Sequence, residues 1–194
     1  MSGDIEVVSA LRKQEDAAFN QLLSSAIDIV NLELLDAPLR NSYIHQFHSF
    51  NPDELELIET LKNYLLENID GILFCPLAIG NHIDHVLCRE AVVQVYPRVK
   101  VLFYEDLPYA NRITLDEIGL HIQGLEERLD VKLIDYTNGL NKSPVNKLQA
   151  VQVYKSQVDD GICAEIMAHL HILKGERFWG EAEEIEAVKR AWTD

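Results

Sequence analysis

The chain has 194 residues, of which 47% are hydrophobic and 25% are charged, and its 17 basic and 32 acidic side chains give a formal net charge of −15. This length suits one domain, and so large an apolar fraction predicts a folded chain and excludes a disordered one. The excess of negative charge argues against binding to nucleic acids or anionic membranes, and no apolar run approaches the roughly 20 residues of a membrane span.

The first 50 residues are predicted to contain a helix, a strand and a loop. Residues 4–27 carry apolar side chains at helical spacing. Residues 28–35 are rich in Ile, Val and Leu and end at Asp36-Ala37-Pro38, which is typical of a short strand followed by a turn. Residues 37–50 show no period, which indicates a loop.

The expected location of the protein is the cytoplasm. The acidic N-terminus has no basic region followed by an apolar stretch, so it does not resemble a signal peptide. The three cysteines are expected to be free, buried thiols, because they are widely spaced in apolar surroundings: Cys75, Cys88 and Cys163.

The next elements alternate between helix and strand. A helix is predicted to begin at Asn51-Pro52-Asp53-Glu54, because asparagine suits the N-cap and proline suits the first helical position. The apolar run Gly71–Pro76 is expected to be a strand buried on both faces, and a helix follows it from about His82 to Val95.

Two further strands are predicted over residues 99–104 and 131–136. Another helix is expected to open at Ser143-Pro144, and the remainder is expected to be helical, closing with a charged segment around residues 181–189. The alternation predicts an α/β fold, Rossmann-like and three-layered, with a mostly parallel sheet.

The segment that best suits chemistry is Gly80-Asn81-His82-Ile83-Asp84-His85, which lies beyond the carboxyl end of a predicted strand. His82 and His85 are three residues apart, so on a helix they share a face. Neutral imidazole binds zinc and transfers protons near neutral pH, and Asp84 could fix the orientation of a histidine. A plain helix start with two solvated histidines is the alternative interpretation of this spacing.

An ordered set of motifs resembles the PIG-L/LmbE-like family of zinc-dependent N-deacetylases. The His82-x-Asp84-His85 segment is similar to the second signature of that family, and Tyr104-Glu105-Asp106-Leu107-Pro108-Tyr109 is similar to its Y-E-D-x-P-Y stretch. Three weaker matches run in family order, namely Arg12-Lys13-Gln14-Glu15, Leu34-Leu35-Asp36, and the helix with Lys147, Ala150, Tyr154, Ser156 and Gln157.

The resemblance implies a role for each residue of the signature. His85 would be a zinc ligand, and His82 would be the imidazolium that stabilises the oxyanion and helps the leaving amine, with Asp84 orienting His82. The implied reaction removes acetyl from an N-acetylated amino sugar or related metabolite by attack of a zinc-bound water. A homo-oligomer is compatible with all of these features.

The chain departs from the family in one signature. The family's A-H-P-D-D-E motif, which supplies two zinc ligands and a general base, does not occur here; the only Pro-Asp pair, Pro52-Asp53, follows Asn51. The first β-α-β unit is therefore expected to be missing, in agreement with a chain that opens on a helix. An in-frame upstream extension of roughly 40–70 residues is expected, the length of one such unit. A catalytic zinc usually has three protein ligands, so zinc binding by the chain itself is expected to be weak.

Two other hypotheses remain open. The chain could be a non-catalytic binding or scaffold protein that kept the sugar-facing half of the site. Alternatively, a metal site could be rebuilt with His45 or His48, which form a second H-x-x-H in the 37–50 loop. His169 and His171, two residues apart on a predicted helix, point in different directions and are expected to be structural.

Overall fold

The computed structural model describes residues 2–24, 27–40, 49–139 and 146–193, with side chains from Ile5 to Trp192. Seven helices and four strands follow one another in these ranges: α1 Ser2–Leu22, α2 Pro52–Asn68, β1 Ile72–Pro76, α3 Ile83–Val95, β2 Lys100–Tyr104, α4 Leu115–Leu129, β3 Ile134–Asn138, α5 Lys147–Val151, α6 Asp160–Leu173, β4 Glu176–Gly180 and α7 Ala182–Thr193. Short 3-10 turns cover Ala37–Arg40 and Tyr109–Arg112. No described helix has the length and apolarity needed to cross a membrane.

Capping boxes start two of the helices. At α2, the Asn51 side chain accepts a hydrogen bond from the backbone N–H of Glu54, and the Glu54 carboxylate accepts one from the backbone N–H of Asn51. The predicted start of this helix is therefore confirmed. The same reciprocal arrangement, between Thr114 and Glu117, starts α4, a helix that is not among the predicted elements.

The four strands form one mixed sheet in the order β1-β2-β4-β3. β1 and β2 pair in parallel, whereas β4 pairs antiparallel with both β2 and β3. The α/β class is confirmed, but the expectation of a mostly parallel sheet is wrong for the described strands. The three strands found in the sequence do run in one direction, and the reversed β4 lies between two of them.

Four element predictions need correction. Residues 28–36 have no regular structure, and Val30 is 62% exposed, because no described strand pairs with this segment. β1 is an edge strand of the described sheet, so its Phe74 is 40% exposed and the strand is not buried on both faces. β3 begins at Ile134. The last third is not wholly helical, since it contains β4, and the predicted opening at Ser143-Pro144 lies outside the described residues.

Helices cover both faces of the sheet. Val101 and Phe103 of β2 pack with apolar residues of α3 and α4 in the largest buried cluster. Leu102, between them in the strand, points to the opposite face and packs against Ile185 and Val188 of α7. This alternation is the period-two geometry of a strand, and it produces three layers.

Candidate functional site

The loop between β1 and α3 is buried over its first three residues and is conformationally constrained. Leu77, Ala78 and Ile79 have no exposed surface, and the backbone N–H of Leu77 donates to the carbonyl of Tyr104 at 3.0 Å. Three residues of this loop lie in the left-handed region: φ is +59° at Ala78, +83° at Gly80 and +56° at Asn81. Such residues cost free energy and persist where the surroundings fix them, often at functional sites.

Replacing Gly80 with alanine is expected to destabilise the protein by about 2 kcal/mol or more, because the residue combines a positive φ with a close approach to Tyr109. An added Cβ would lie 2.6 Å from two ring carbons of Tyr109. Gly119→Ala on α4 is the matched control, since a Cβ there meets no atom within 4 Å and should be neutral or stabilise by up to about 1 kcal/mol. Urea unfolding of both variants measures the difference, and equal midpoints would contradict the constrained loop.

His85 is held by a buried carboxylate. Nδ1 of His85 hydrogen-bonds to Oδ1 of Asp106, whose side chain has no exposed surface. The second oxygen of Asp106 accepts a hydrogen bond of 3.0 Å from the backbone N–H of Ile79. Asp106 thus joins His85 to the constrained loop, and because Nδ1 is occupied, Nε2 is the free nitrogen of the ring.

His82 lies beside His85 at the start of α3. The two rings have centroids 5.2 Å apart, as expected for residues three apart. Burial lowers the pKa of His82 below its ordinary value, and the neighbouring His85 lowers it further, whereas the nearby carboxylate of Asp84 partly offsets both effects. The ring is therefore largely neutral at pH 7. Nδ1 of His82 is buried and has no hydrogen-bond partner among the described residues.

Asp84 points toward the Ala37–Arg40 turn. Its Oδ2 accepts a hydrogen bond of 3.0 Å from the backbone N–H of Ala37, and its Oδ1 pairs with the guanidinium of Arg40. In the structure it therefore anchors the turn that precedes α2, and its contact with His82 is electrostatic and not a hydrogen bond.

His85 opens into a cavity of about 1,390 Å³ at the carboxyl ends of the strands. The end of β2 contributes Tyr104 and Glu105, the end of β3 contributes Asn138, and the start of β4 contributes Glu176. Helix α5 closes one side with Lys147, which pairs with Glu176. Open α/β sheets bind ligands at this edge of the sheet. The polar side chains that line the cavity include both hydrogen-bond donors and acceptors.

Glu105 is the most heavily engaged carboxylate of this region. Its Oε1 accepts hydrogen bonds from Nε of Arg177 at 2.6 Å and from the indole N–H of Trp179 at 2.9 Å. Nε2 of His169 lies 3.4 Å from Oε2 without the alignment of a hydrogen bond. Burial would raise the pKa of Glu105, but the facing His169, Arg177 and Trp179 outweigh it, and the pKa lies below its ordinary value.

Two of the weaker motifs contact each other, and one of them contributes Tyr154 and Gln157 to the cavity lining. The Glu15 carboxylate accepts hydrogen bonds from both the backbone N–H and the hydroxyl of Ser156, each at 2.7 Å. Arg12 also donates to that hydroxyl at 3.0 Å, and the Tyr154 hydroxyl donates to Asp16 at 3.2 Å. Helix α1 is thereby fixed to the segment after α5, and these motif residues are explained by an anchoring role.

The described residues supply only part of a zinc site. A histidine that binds zinc through one ring nitrogen usually has its second ring nitrogen held by a carboxylate. His85 has this arrangement, because buried Asp106 holds its Nδ1. However, among the residues described, no three His, Cys, Asp or Glu side chains form a group that could hold a metal ion. A catalytic zinc usually has three protein ligands, so this donor set alone does not fit one. His45 and His48 lie outside the described residues.

The structure brings to the site several residues whose role does not follow from the sequence. For Glu105 and Asp106, the motif resemblance leaves open a position facing the pocket or a surface turn. The sequence predicts helix for Glu176 and Arg177, and Lys147 is only a motif match. One usable signal was the pair of acids directly after a buried strand, since the carboxyl ends of neighbouring strands meet at one edge. Of the expected free thiols, Cys75 and Cys163 are free and buried, and Cys88 is free and partly buried.

Comparisons with known proteins point to deacetylases. No family model matches the chain. The 2′-N-acetylparomamine deacetylase of Streptomyces fradiae is 27% identical over 170 residues, which cover 84% of this chain and 59% of that protein. The crystal structure of a deacetylase–bog complex in the biosynthesis pathway of teicoplanin aligns with a TM-score of 0.59 at 21% identity, over 88% of this chain and 72% of that one. The chain therefore spans less than two thirds of the sequence relative's length. The resemblance to N-deacetylases is confirmed, and the second match supports the fold.

Proposed function

We propose that this chain, which is similar to deacetylases in sequence and in fold, hydrolyses the acetamide group of an N-acetylated amino sugar. The observation that carries the proposal is His85, whose Nδ1 is fixed by buried Asp106 and which lines a cavity of about 1,390 Å³. The similarity to a 2′-N-acetylparomamine deacetylase indicates the substrate class.

The reaction adds water to the amide carbonyl and releases acetate and a free amine. The water oxygen bonds to the carbonyl carbon, the C–N bond breaks, and the nitrogen leaves with a proton. His82 is suited to move that proton, because its lowered pKa leaves the ring neutral and able to accept one at pH 7. It would then be the imidazolium that faces the developing negative charge and protonates the amine. Asp84, bound to Arg40 and Ala37, would support this position of α3.

Zinc dependence is part of the proposal and rests on the motif resemblance together with the His85–Asp106 pair. When bound, zinc would polarise the amide carbonyl and lower the pKa of water. His85 would be one ligand, through Nε2. Among the described side chains, no group of three His, Cys, Asp or Glu could complete the site.

Acetate release tests this function. In excess zinc, the full chain is expected to release acetate from N-acetylglucosamine or from 2′-N-acetylparomamine, and His85→Ala is expected to release none above background. Glu183→Gln, at an exposed position on α7, is the control and should retain activity. Failure of the wild-type protein to release acetate from either compound would contradict the hydrolase. Binding of the sugars without release would then support the non-catalytic alternative.

Metal content gives a second measurement on the same protein. After dialysis against a mild chelator, well below one zinc per chain is expected by mass spectrometry, because the described donors are too few. One tightly held zinc per chain would contradict this, and its loss in His45→Ala or His48→Ala would favour a rebuilt site.

A further inference from the structure

Arg89 connects the β1–α3 loop to the outer surface of helix α4. From the second turn of α3, its Nη1 donates a hydrogen bond of 3.0 Å to the backbone carbonyl of Leu77. Its Nη2 lies 3.5 Å from Oε1 of Glu90, whose two oxygens accept hydrogen bonds of 2.7 and 2.5 Å from the guanidinium of Arg128. The Arg89 side chain is only 16% exposed. A cation is thus held below the surface, with one of its donors directed at the loop.

The contact with Arg89 fixes one peptide group of the loop. Leu77 has no exposed surface, so water does not reach its carbonyl, and Arg89 supplies the donor for it. The N–H of Leu77 donates to the carbonyl of Tyr104 at 3.0 Å. A buried carbonyl that loses its donor is costly to leave unsatisfied. The orientation of the peptide that joins Leu77 to Ala78 therefore depends on Arg89.

This peptide leads directly to the residue that binds Asp106. Ala78 has a φ of +59°, a conformation in which a residue other than glycine persists only when its surroundings fix it. The next N–H, that of Ile79, donates to Oδ2 of Asp106 at 3.0 Å, and Oδ1 of the same carboxylate binds Nδ1 of His85. A rotation of the peptide after Leu77 therefore moves the N–H of Ile79 away from Asp106 and leaves the carboxylate free to turn.

The positive charge of Arg89 acts in the same buried region as the negative charge of Asp106. Burial lowers the pKa of His121 on α4, and the nearby Arg89 lowers it further, whereas Asp106 raises it. Both charges thus lie within electrostatic range of one half-buried ring. A nearby cation offsets part of the cost of burying a carboxylate, so the charge of Arg89 supports the same arrangement as its hydrogen bond.

We infer that Arg89 is a positioning residue of the proposed reaction centre, which acts through the 77–79 backbone and Asp106 to hold His85 in one orientation and one tautomer. Arg89 does not line the cavity, so its effect on the reaction is indirect. The inference rests on the proposed function for the reaction that His85 serves. The other role open to Arg89 is purely structural, a clamp between α3 and α4 through Glu90 and Arg128.

Nitrogen NMR of the neutral His85 ring, on the full chain without added zinc, separates these roles. The wild-type protein is expected to show the Nδ1–H tautomer, because the carboxylate of Asp106 accepts from Nδ1. Arg89→Met keeps a long, unbranched side chain but has no donor. In this variant the Nε2–H form is expected to rise about fivefold, the change that loss of one ordinary hydrogen bond produces. Arg89→Lys keeps the charge and a donor without the planar fork, so it should lie between the two.

Arg98→Met is the matched control, because Arg98 is an exposed arginine beyond the end of α3, and it should keep the wild-type spectrum. Urea unfolding of every variant is measured alongside. A structural clamp would lower the unfolding midpoint of Arg89→Met and leave the tautomer unchanged, and that result would overturn the inference. If Arg89→Met does not fold, Arg89→Lys decides in its place, and a wild-type spectrum there would overturn the inference equally.

Steady-state kinetics in excess zinc keeps this inference apart from the proposed function. A less ordered His85 should lower kcat by about 3–10-fold in Arg89→Met with KM unchanged, since the cavity lining is intact. A wild-type kcat would overturn the role of Arg89 in the reaction, whether or not KM changes. Absence of acetate release by the wild-type protein would overturn the hydrolase itself, whereas the tautomer spectra would still decide whether Arg89 positions His85.

Discussion

In excess zinc, His85→Ala is expected to abolish both zinc binding and amide hydrolysis. His82→Ala is expected to bind zinc as the wild-type protein does and to keep its KM, but to lose kcat by about 10²–10⁴-fold, the usual effect of a positioned acid–base group. The difference follows from their surroundings. His85 is fixed through Nδ1 by Asp106, which suits a ligand, and His82 has a free, buried Nδ1 and a lowered pKa, which suit a proton carrier.

Zinc titration and steady-state kinetics on the full chain in excess zinc separate the two histidines. His171→Ala, on the exposed face of α6, is the control and should change neither quantity. Zinc loss in His82→Ala with zinc retained in His85→Ala would reverse the assignment. If neither replacement matters, the segment is only a helix start.

Asp106→Asn is expected to lower zinc affinity and kcat by about 10–100-fold, the usual effect of losing a carboxylate that orients a ligating histidine. The amide oxygen can still accept from Ile79, so the loop is retained, but the amide nitrogen then donates to Nδ1 of His85 and favours the opposite tautomer. Nitrogen NMR of the His85 ring should show the Nδ1–H tautomer in the wild-type protein and predominantly the Nε2–H tautomer in the variant.

That spectrum separates positioning from a structural role, because general loosening would not select one ring nitrogen. Asp116→Asn, in the first turn of α4, is the matched control and should leave the spectrum unchanged. Asp106→Ala should also destabilise the fold by about 1–3 kcal/mol, since the N–H of Ile79 loses its acceptor. A wild-type tautomer ratio in Asp106→Asn would contradict the positioning role.

Local signals explain what the sequence could predict. The start of α2 follows from Asn51-Pro52 and Glu54, a reciprocal cap that needs no distant partner. Helix α4 carries the same signal at Thr114 and Glu117, so its start can be predicted from the sequence in the same way. The H-x-x-H pair on α3 likewise follows from helical spacing.

Features that depend on contacts between residues far apart in the sequence could not be predicted from local signals. The five residues of β4 show no clear period, and they are a strand because β2 and β3 lie on either side of them. The 28–35 segment has strand-like composition, but no described strand pairs with it. The divergence of Glu105 and Asp106 depends on partners more than 20 positions away, His85 and Arg177.

The distance in sequence between β4 and its partner β2 is expected to make assembly of the cavity a late event in folding. Since β4 runs against its neighbours, its first residues, Glu176 and Arg177, arrive at the edge where β1, β2 and β3 end. Phe178 pairs with Tyr104, 74 positions earlier (178 − 104), and closure over such separations is slow. His85 and Asp106, only 21 positions apart, can meet sooner. We therefore expect the histidine to be positioned first during synthesis, and the walls that β4 supplies to follow once that strand has emerged.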